Sequence, residues 1–196
     1  MSEVLILDLD YGNTRSVALA FERLGATATL SADPAAVDRA DRVVLPGVGA
    51  AGAAMARLRQ SGLDDALRRR TSPTLGICLG MQLMFDDSDE DGGTELLGIL
   101  PGSVAELQAS PGFPVPHMGW SALDTQASDI GLNPGAYVYF AHSFACPDGP
   151  HVAARATYGG ASIPAVVRSG AWWGAQFHPE RSSVAGSRFL SAFLAA

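Results

Sequence analysis

Three segments dominated by apolar residues without polar alternation, Val4 to Leu9, Arg42 to Leu45 and Thr74 to Ile77, do most to constrain the fold. A strand with one wet face alternates apolar and polar residues, whereas a strand buried on both faces does not. Between these runs lie helical patterns. Asn13 to Leu24 has apolar residues at helical spacing, with Asn13 or Thr14 available as N-cap and Gly25 as the stop. An Ala-rich stretch from Ala50 to Gln60 and a shorter one from Leu63 to Arg70 follow. Strands separated by helices predict an α/β protein with a central, mostly parallel sheet covered on both faces.

After residue 95 the pattern becomes mainly β, with strand-like segments at Ile99 to Leu107, Tyr137 to Phe144, Val152 to Tyr158, Ile163 to Arg168 and Trp172 to Phe177. Val184 to Leu194 reads as a closing helix. No linker, repeat or low-complexity tract divides the sequence, and 196 residues at 47% hydrophobic suit one core, so residues 1–196 are read as a single domain.

Bulk properties exclude several kinds of function. A formal net charge of −7 argues against nucleic-acid binding, which rests on clustered positive charge. All thirteen basic residues are arginine, which excludes a Schiff-base lysine and a Walker A loop. No run approaches the roughly 20 apolar residues of a membrane span, and no basic segment precedes the first apolar run, so a cytoplasmic protein is expected. Cys78 and Cys146 are then expected to stay reduced. Cys146 lies in a loop-like Pro-Asp-Gly-Pro context with no base nearby, and it reads as incidental.

Cys78 is different. In Gly76-Ile77-Cys78-Leu79-Gly80 the thiol follows an apolar run and precedes the helix-like Met81 to Phe85, the pattern of a nucleophile elbow. The flanking glycines permit a tight strand-to-helix turn, and a helix N-terminus favours thiolate. A small buried thiol is the competing reading. His178 weighs against it: the histidine ends the apolar run Trp172 to Phe177 and precedes Pro179-Glu180. Proline holds the residue before it extended, and residues two apart in an extended segment share a side. Glu180 is thus expected to orient the imidazole, leaving its other nitrogen as base toward a thiol.

Attack on a carbonyl also needs donors for the developing oxyanion. The backbone N–H of Leu79 is one candidate, and Pro46-Gly47-Val48-Gly49, ending another predicted strand, offers a second at Val48. Metal sites are not expected. Asp87 to Gly92 resembles the first half of a calcium loop, but its twelfth position is Gly98, and His117, His142 and His151 have no regular ligand spacing with either cysteine.

Six segments together resemble the class I glutamine amidotransferases, and within them the glutaminase subunits of imidazole glycerol phosphate synthases. They are Tyr11-Gly12-Asn13 with Ser16, Leu45 to Gly49, Gly76 to Gln82, His117 to Trp120, Tyr139 to Ser143 and Gln176 to Glu180, spanning almost the whole chain. The resemblance implies a flavodoxin-like three-layer fold and a Cys78, His178 and Glu180 triad that hydrolyses L-glutamine through a glutamyl thioester. It implies that Gln82, Ser143 and Phe144, with backbone near Gly47, hold the substrate, and that no cofactor takes part. It further implies a heterodimer with a (β/α)-barrel cyclase subunit. That subunit would use the ammonia to make imidazole glycerol phosphate and aminoimidazole carboxamide ribotide in histidine biosynthesis.

Asn13, Trp120 and Arg181 are the expected interface residues, and glutamine hydrolysis is expected to be weak until the cyclase and its ligand bind. The alternatives are another class I glutaminase, such as that of pyridoxal phosphate synthase, a γ-glutamyl hydrolase, or a silent regulatory module of the same fold. The chain departs from the family pattern at Ser121, where asparagine is usual, at Phe144, where tyrosine is common, and at Arg181, where lysine is common.

Overall fold

A computed structural model of the protein describes residues 2–9, 13–125, 127 and 129–196. Tyr11 and Gly12 of the first motif lie outside the described residues. The first half alternates strands and helices: β1 (Glu3–Leu7), α1 (Thr14–Arg23), β2 (Thr27–Ser31), α2 (Pro34–Arg39), β3 (Val43–Gly47), α3 (Ala51–Ser61), α4 (Leu63–Arg68), β4 (Thr74–Cys78) and α5 (Leu79–Gln82). The second half carries β5 (Asp87–Ser88), β6 (Thr94–Glu95), β7 (Ser103–Glu106), β8 (His117–Thr125), β9 (Tyr137–His142), β10 (Phe144–Ala145), β11 (Val152–Tyr158), β12 (Ala161–Ser169) and β13 (Trp172–Ala175). A 3₁₀ turn at Pro179–Arg181 and helix α6 (Ser183–Leu194) follow.

A nine-stranded sheet runs in the order β2-β1-β3-β4-β13-β12-β11-β8-β9. From β2 to β13 every neighbouring pair is parallel, and from β13 to β9 every pair is antiparallel. A small second sheet, β10-β7-β5-β6, flanks the site. The apolar runs without alternation are explained by the two faces they serve. Val4, Ile6, Val44 and Ile77 pack toward Phe21 of α1 and Phe189 and Phe193 of α6. Leu5, Leu7, Val43 and Leu45 pack on the other side against Met55 and Leu58 of α3 and Leu63 of α4. Trp173 meets Phe189 and Phe193 edge-on at 5.8 and 5.9 Å. Each large apolar side chain so buried contributes about 1.5–3 kcal/mol relative to exposure.

Most expected elements occur within a few residues of their expected bounds; β2, α2, β8 and the two-residue strands β5 and β6 have no counterpart among them, and the helix after Cys78 is shorter. Strand β2 is an edge strand with mostly exposed residues, so it lacks an apolar run. Helix α2 has a single buried residue, Val37, too little for a period to show. Strand β8 holds Met118 and Trp120 outward beside Gly119, which hides its alternation. The helix expected after Cys78 is one turn, Leu79–Gln82, with Leu83 to Phe85 in a following turn.

The Asp87 to Gly92 segment forms β5 and a short 3₁₀ turn. Among the described residues, no group of three or more His, Cys, Asp or Glu side chains is arranged to hold a metal ion. No described helix is long and apolar enough to cross a membrane.

Candidate active site

Cys78 ends β4 with φ 53° and ψ −111°, a conformation that strains any residue with a Cβ. The backbone on either side of it is closely packed. A Cβ on Gly80 would stand 1.8 Å from the Leu45 carbonyl oxygen, and one on Gly76 would stand 2.4 Å from the Gly80 oxygen. The turn is thus pressed against β3, and only glycine fits at these two positions. The two cysteines are free thiols, and burial pushes the Cys146 thiol well above its ordinary value.

Strand β13 lies beside β4 in parallel, with Ala175 opposite Ile77, so the chain continuing past it delivers Gln176 and His178 to the thiol. His178 is extended, with φ −95° and ψ 99°, as the following proline requires. Glu180 reaches it differently from the expectation. It lies in the 3₁₀ turn rather than in an extended segment, and the turn brings its Oε1 within 2.9 Å of His178 Nδ1. The Glu180 side chain is 2% exposed, and its second oxygen is buried without a hydrogen-bond partner among the described residues. Burial disfavours charge on His178, yet the Cys78 side chain and the Glu180 carboxylate outweigh it and push the imidazole pKa up to about 10.

Ser182, which sequence reasoning missed, clamps this arrangement. Its Oγ donates to the His178 carbonyl at 2.7 Å and accepts from the Tyr139 N–H at 3.0 Å, while His178 N donates to the Tyr139 carbonyl at 2.9 Å. The catalytic turn is therefore pinned to β9. A second buried network lies on the other side of the thiol. Gln176 Nε2 donates to Cys78 Sγ at 3.8 Å, and Gln82 Nε2 donates to Gln176 Oε1 at 3.1 Å and to the Phe144 carbonyl at 2.8 Å. Both amide protons of Gln82 are used, so its Oε1 is the group left for a ligand.

Cys78, Leu79 and Gln82 line a cavity of about 350 Å³, together with Val48, Ser143 and Phe144. Gly47 is outside the lining. It sits in register with Cys78, where a Cβ would meet Leu79 Cβ at 2.8 Å. Glu90 is the carboxylate in the lining, and its Oε2 accepts from the Ala51 N–H at the start of α3 at 2.6 Å. In the sequence it is one of a run of acidic residues, and nothing local separates it from its solvated neighbours. Two of the expected interface residues, Trp120 and Arg181, flank Tyr139. Trp120 is 51% exposed and meets Tyr139 edge-on at 6.0 Å, while the Arg181 guanidinium lies 5.8 Å from the Tyr139 ring centroid. Asn13 directly precedes α1, with no side-chain capping bond.

A strained thiol elbow, a histidine–carboxylate couple in the turn that follows the adjoining parallel strand and an open-mouthed pocket beside the thiol together suit acyl transfer from a small amide. On this α/β frame they define a class of enzyme, and the chain belongs to the glutamine amidotransferase class-I family, whose model matches residues 5–196. Within that family, the chain is 44% identical over 195 residues to the imidazole glycerol phosphate synthase subunit HisH of Yersinia pseudotuberculosis serotype I, with 98% of each chain covered. To the subunit of the same name from Xanthomonas axonopodis pv. citri it is 46% identical over 197 residues, covering 99% of this chain and 98% of the other.

The fold is shared with a crystal structure of glutamine amidotransferase, with a TM-score of 0.78 at 22% identity over 98% and 97% of the two chains. A structure of PurLQS from Thermotoga maritima matches with a TM-score of 0.74 at 19% identity over 100% and 99%.

Proposed function

We propose that Cys78, His178 and Glu180 hydrolyse L-glutamine to glutamate and ammonia, and that the chain is the glutaminase subunit of an imidazole glycerol phosphate synthase. The observation that carries the reading is the His178–Glu180 couple beside a strained thiol at the wall of a glutamine-sized cavity. The HisH relatives supply the particular assembly.

In this reading the Cys78 sulfur attacks the side-chain amide carbon of glutamine. Backbone N–H groups of Val48 and Leu79, both in the lining, receive the oxyanion. His178 gives its proton to the leaving nitrogen as the C–N bond breaks, which releases ammonia and leaves a glutamyl thioester. Water then attacks the thioester with His178 as base, and glutamate leaves as the thiol is restored. Gln82 Oε1 and the Glu90 carboxylate accept from the substrate ammonium, and the segment at Ser143 and Phe144 closes the other wall.

Ammonia passes to a (β/α)-barrel cyclase bound over the face that carries Met118 and Trp120, 64% and 51% exposed. Met118 also lines the cavity, so a partner on this face covers its mouth. The test is glutamate release by the chain with and without a cyclase subunit and its nucleotide ligand. Hydrolysis that rises strongly in the complex is expected. Equal turnover in both would remove the coupling, and no release in either would remove the glutaminase reading.

A further inference from the structure

Two histidines left over from the triad meet in the core between the exposed strand β8 and the glutamine pocket. His117 and His142 stand opposite one another in the β8–β9 pairing and are 2% and 5% exposed. The His117 ring is stacked between Phe140, at 4.7 Å, and Tyr158, at 3.9 Å, which prevents it from swinging out. Three hydrogen bonds link four residues. Ser121 Oγ is 3.0 Å from His117 Nε2, His117 Nδ1 is 3.1 Å from His142 Nε2, and His142 Nδ1 is 2.8 Å from the Phe144 carbonyl oxygen.

The chemistry at one end sets the direction of the whole series. A carbonyl oxygen only accepts, so His142 Nδ1 carries a proton. Burial holds both rings neutral by pushing their pKa values down to about 4. His142 Nε2 is then bare and accepts, so His117 Nδ1 carries the proton, and His117 Nε2 accepts from the Ser121 hydroxyl. All three donors point from β8 toward the substrate pocket, and bonds aligned in this way strengthen one another. The Phe144 carbonyl at the end is the same atom that holds Gln82 Nε2.

We propose that Ser121, His117 and His142 act as positioning residues, a one-way hydrogen-bond chain that locks the Phe144 carbonyl and through it the Gln82 side chain, so that glutamine affinity depends on Ser121. The inference rests on the glutaminase reading of the cavity. Its consequence is a split in kinetic constants. Removing the hydroxyl loosens the substrate wall while leaving the sulfur, the imidazole and the oxyanion donors in place.

The test has two arms. Nitrogen-15 spectra of the full chain report the histidine tautomers without any assay. At neutral pH both His117 and His142 are expected as Nδ1–H tautomers, although a free histidine side chain favours the proton on Nε2, and neither is expected to titrate between about pH 5 and 8. An Nε2–H tautomer at either ring overturns the chain. In the complex with cyclase, Ser121→Ala is expected to raise KM for glutamine about fivefold with kcat little changed, and Ser121→Thr, which keeps the hydroxyl, to restore it. An unchanged KM in Ser121→Ala, or a loss confined to kcat, overturns the positioning role. If the native complex fails to hydrolyse glutamine, the glutaminase reading falls and the affinity claim with it, while the tautomers still decide whether the chain exists.

Discussion

His178 Nδ1 donates to Glu180 Oε1 over 2.9 Å across a single 3₁₀ turn, and the charge this contact sustains gives the protein a pH signature. Burial opposes the imidazolium, while Cys78 and Glu180 favour it, and the balance lifts the pKa from 6.5 to about 10. A raised pKa means that the folded state binds the extra proton more tightly than the unfolded chain. The stabilisation is fully present below about pH 6.5 and is lost as pH rises through about 10. Nitrogen-15 titration of His178 in the full chain is expected to place its midpoint far above neutrality. Cys78→Ala, which removes one of the groups favouring the charge, lowers that midpoint. Unfolding free energies should fall between pH 6.5 and 10 more steeply for the native chain than for His178→Gln, and parallel slopes would contradict the assignment.

The backbone at Cys78 stores strain in the service of the nucleophile. Cys78→Ala and Cys78→Gly both remove the sulfur, so both lose glutamine-dependent synthesis while external ammonia still supports the complex. They differ in stability, because alanine keeps the Cβ that opposes φ 53° and glycine does not. Cys78→Gly is expected to be about 1 kcal/mol more stable than Cys78→Ala in denaturant titration. Mass mapping after treatment with a glutamine-like electrophile should find label on Cys78. The buried, high-pKa thiol of Cys146 should remain unlabelled.

Glu90 makes two different contributions, and one substitution separates them. Gln still offers an oxygen to the Ala51 N–H, so Glu90→Gln preserves the start of α3 but removes the charge facing the cavity. Loss of a charge-assisted hydrogen bond to the substrate ammonium should raise KM for glutamine about tenfold or more, with melting temperature close to native. Steady-state kinetics in the complex measure it, and an unaltered KM would place the substrate ammonium elsewhere.

Gly186 lies one turn into α6 and outside the cavity lining, yet a Cβ there would stand 2.0 Å from the Pro179 carbonyl oxygen. Alanine would favour the isolated helix by about 1 kcal/mol. In the folded chain it pushes α6 away from the catalytic turn. Gly186→Ala is expected to reduce kcat by about 10²-fold through displacement of His178 and Glu180. The measurement is kcat alongside a melting curve, since a folded variant with native kcat would show that the turn tolerates the shift.

Much of the site can be read from local sequence because local rules govern it. Proline after His178 forces extended geometry, and the glycines around Cys78 permit a turn that few other residues accept. Gln82 and Leu79 inherit their places from that elbow. Other residues escape such a reading because their partners are remote in sequence. Glu90 meets Ala51 across 39 residues, Gln176 meets Gln82 across 94, and Ser182 bridges to Tyr139 across 43. Strand β2 and helix α2 escape it for another reason, since one is mostly exposed and the other buries a single side chain.

By itself the sequence determines that this chain forms a two-face-buried α/β sheet with a thiol at one strand end and a histidine at another. Apolar runs, proline and glycine act within a few residues, so their effect is legible there. The tertiary structure decides what those ends face. Pairing of β13 with β4 brings His178 to Cys78, and the β8–β9 pairing aligns Ser121, His117 and His142 on the Phe144 carbonyl. Such alignments depend on sheet order and register, which arise from the packing of the whole core and leave no mark at any single position.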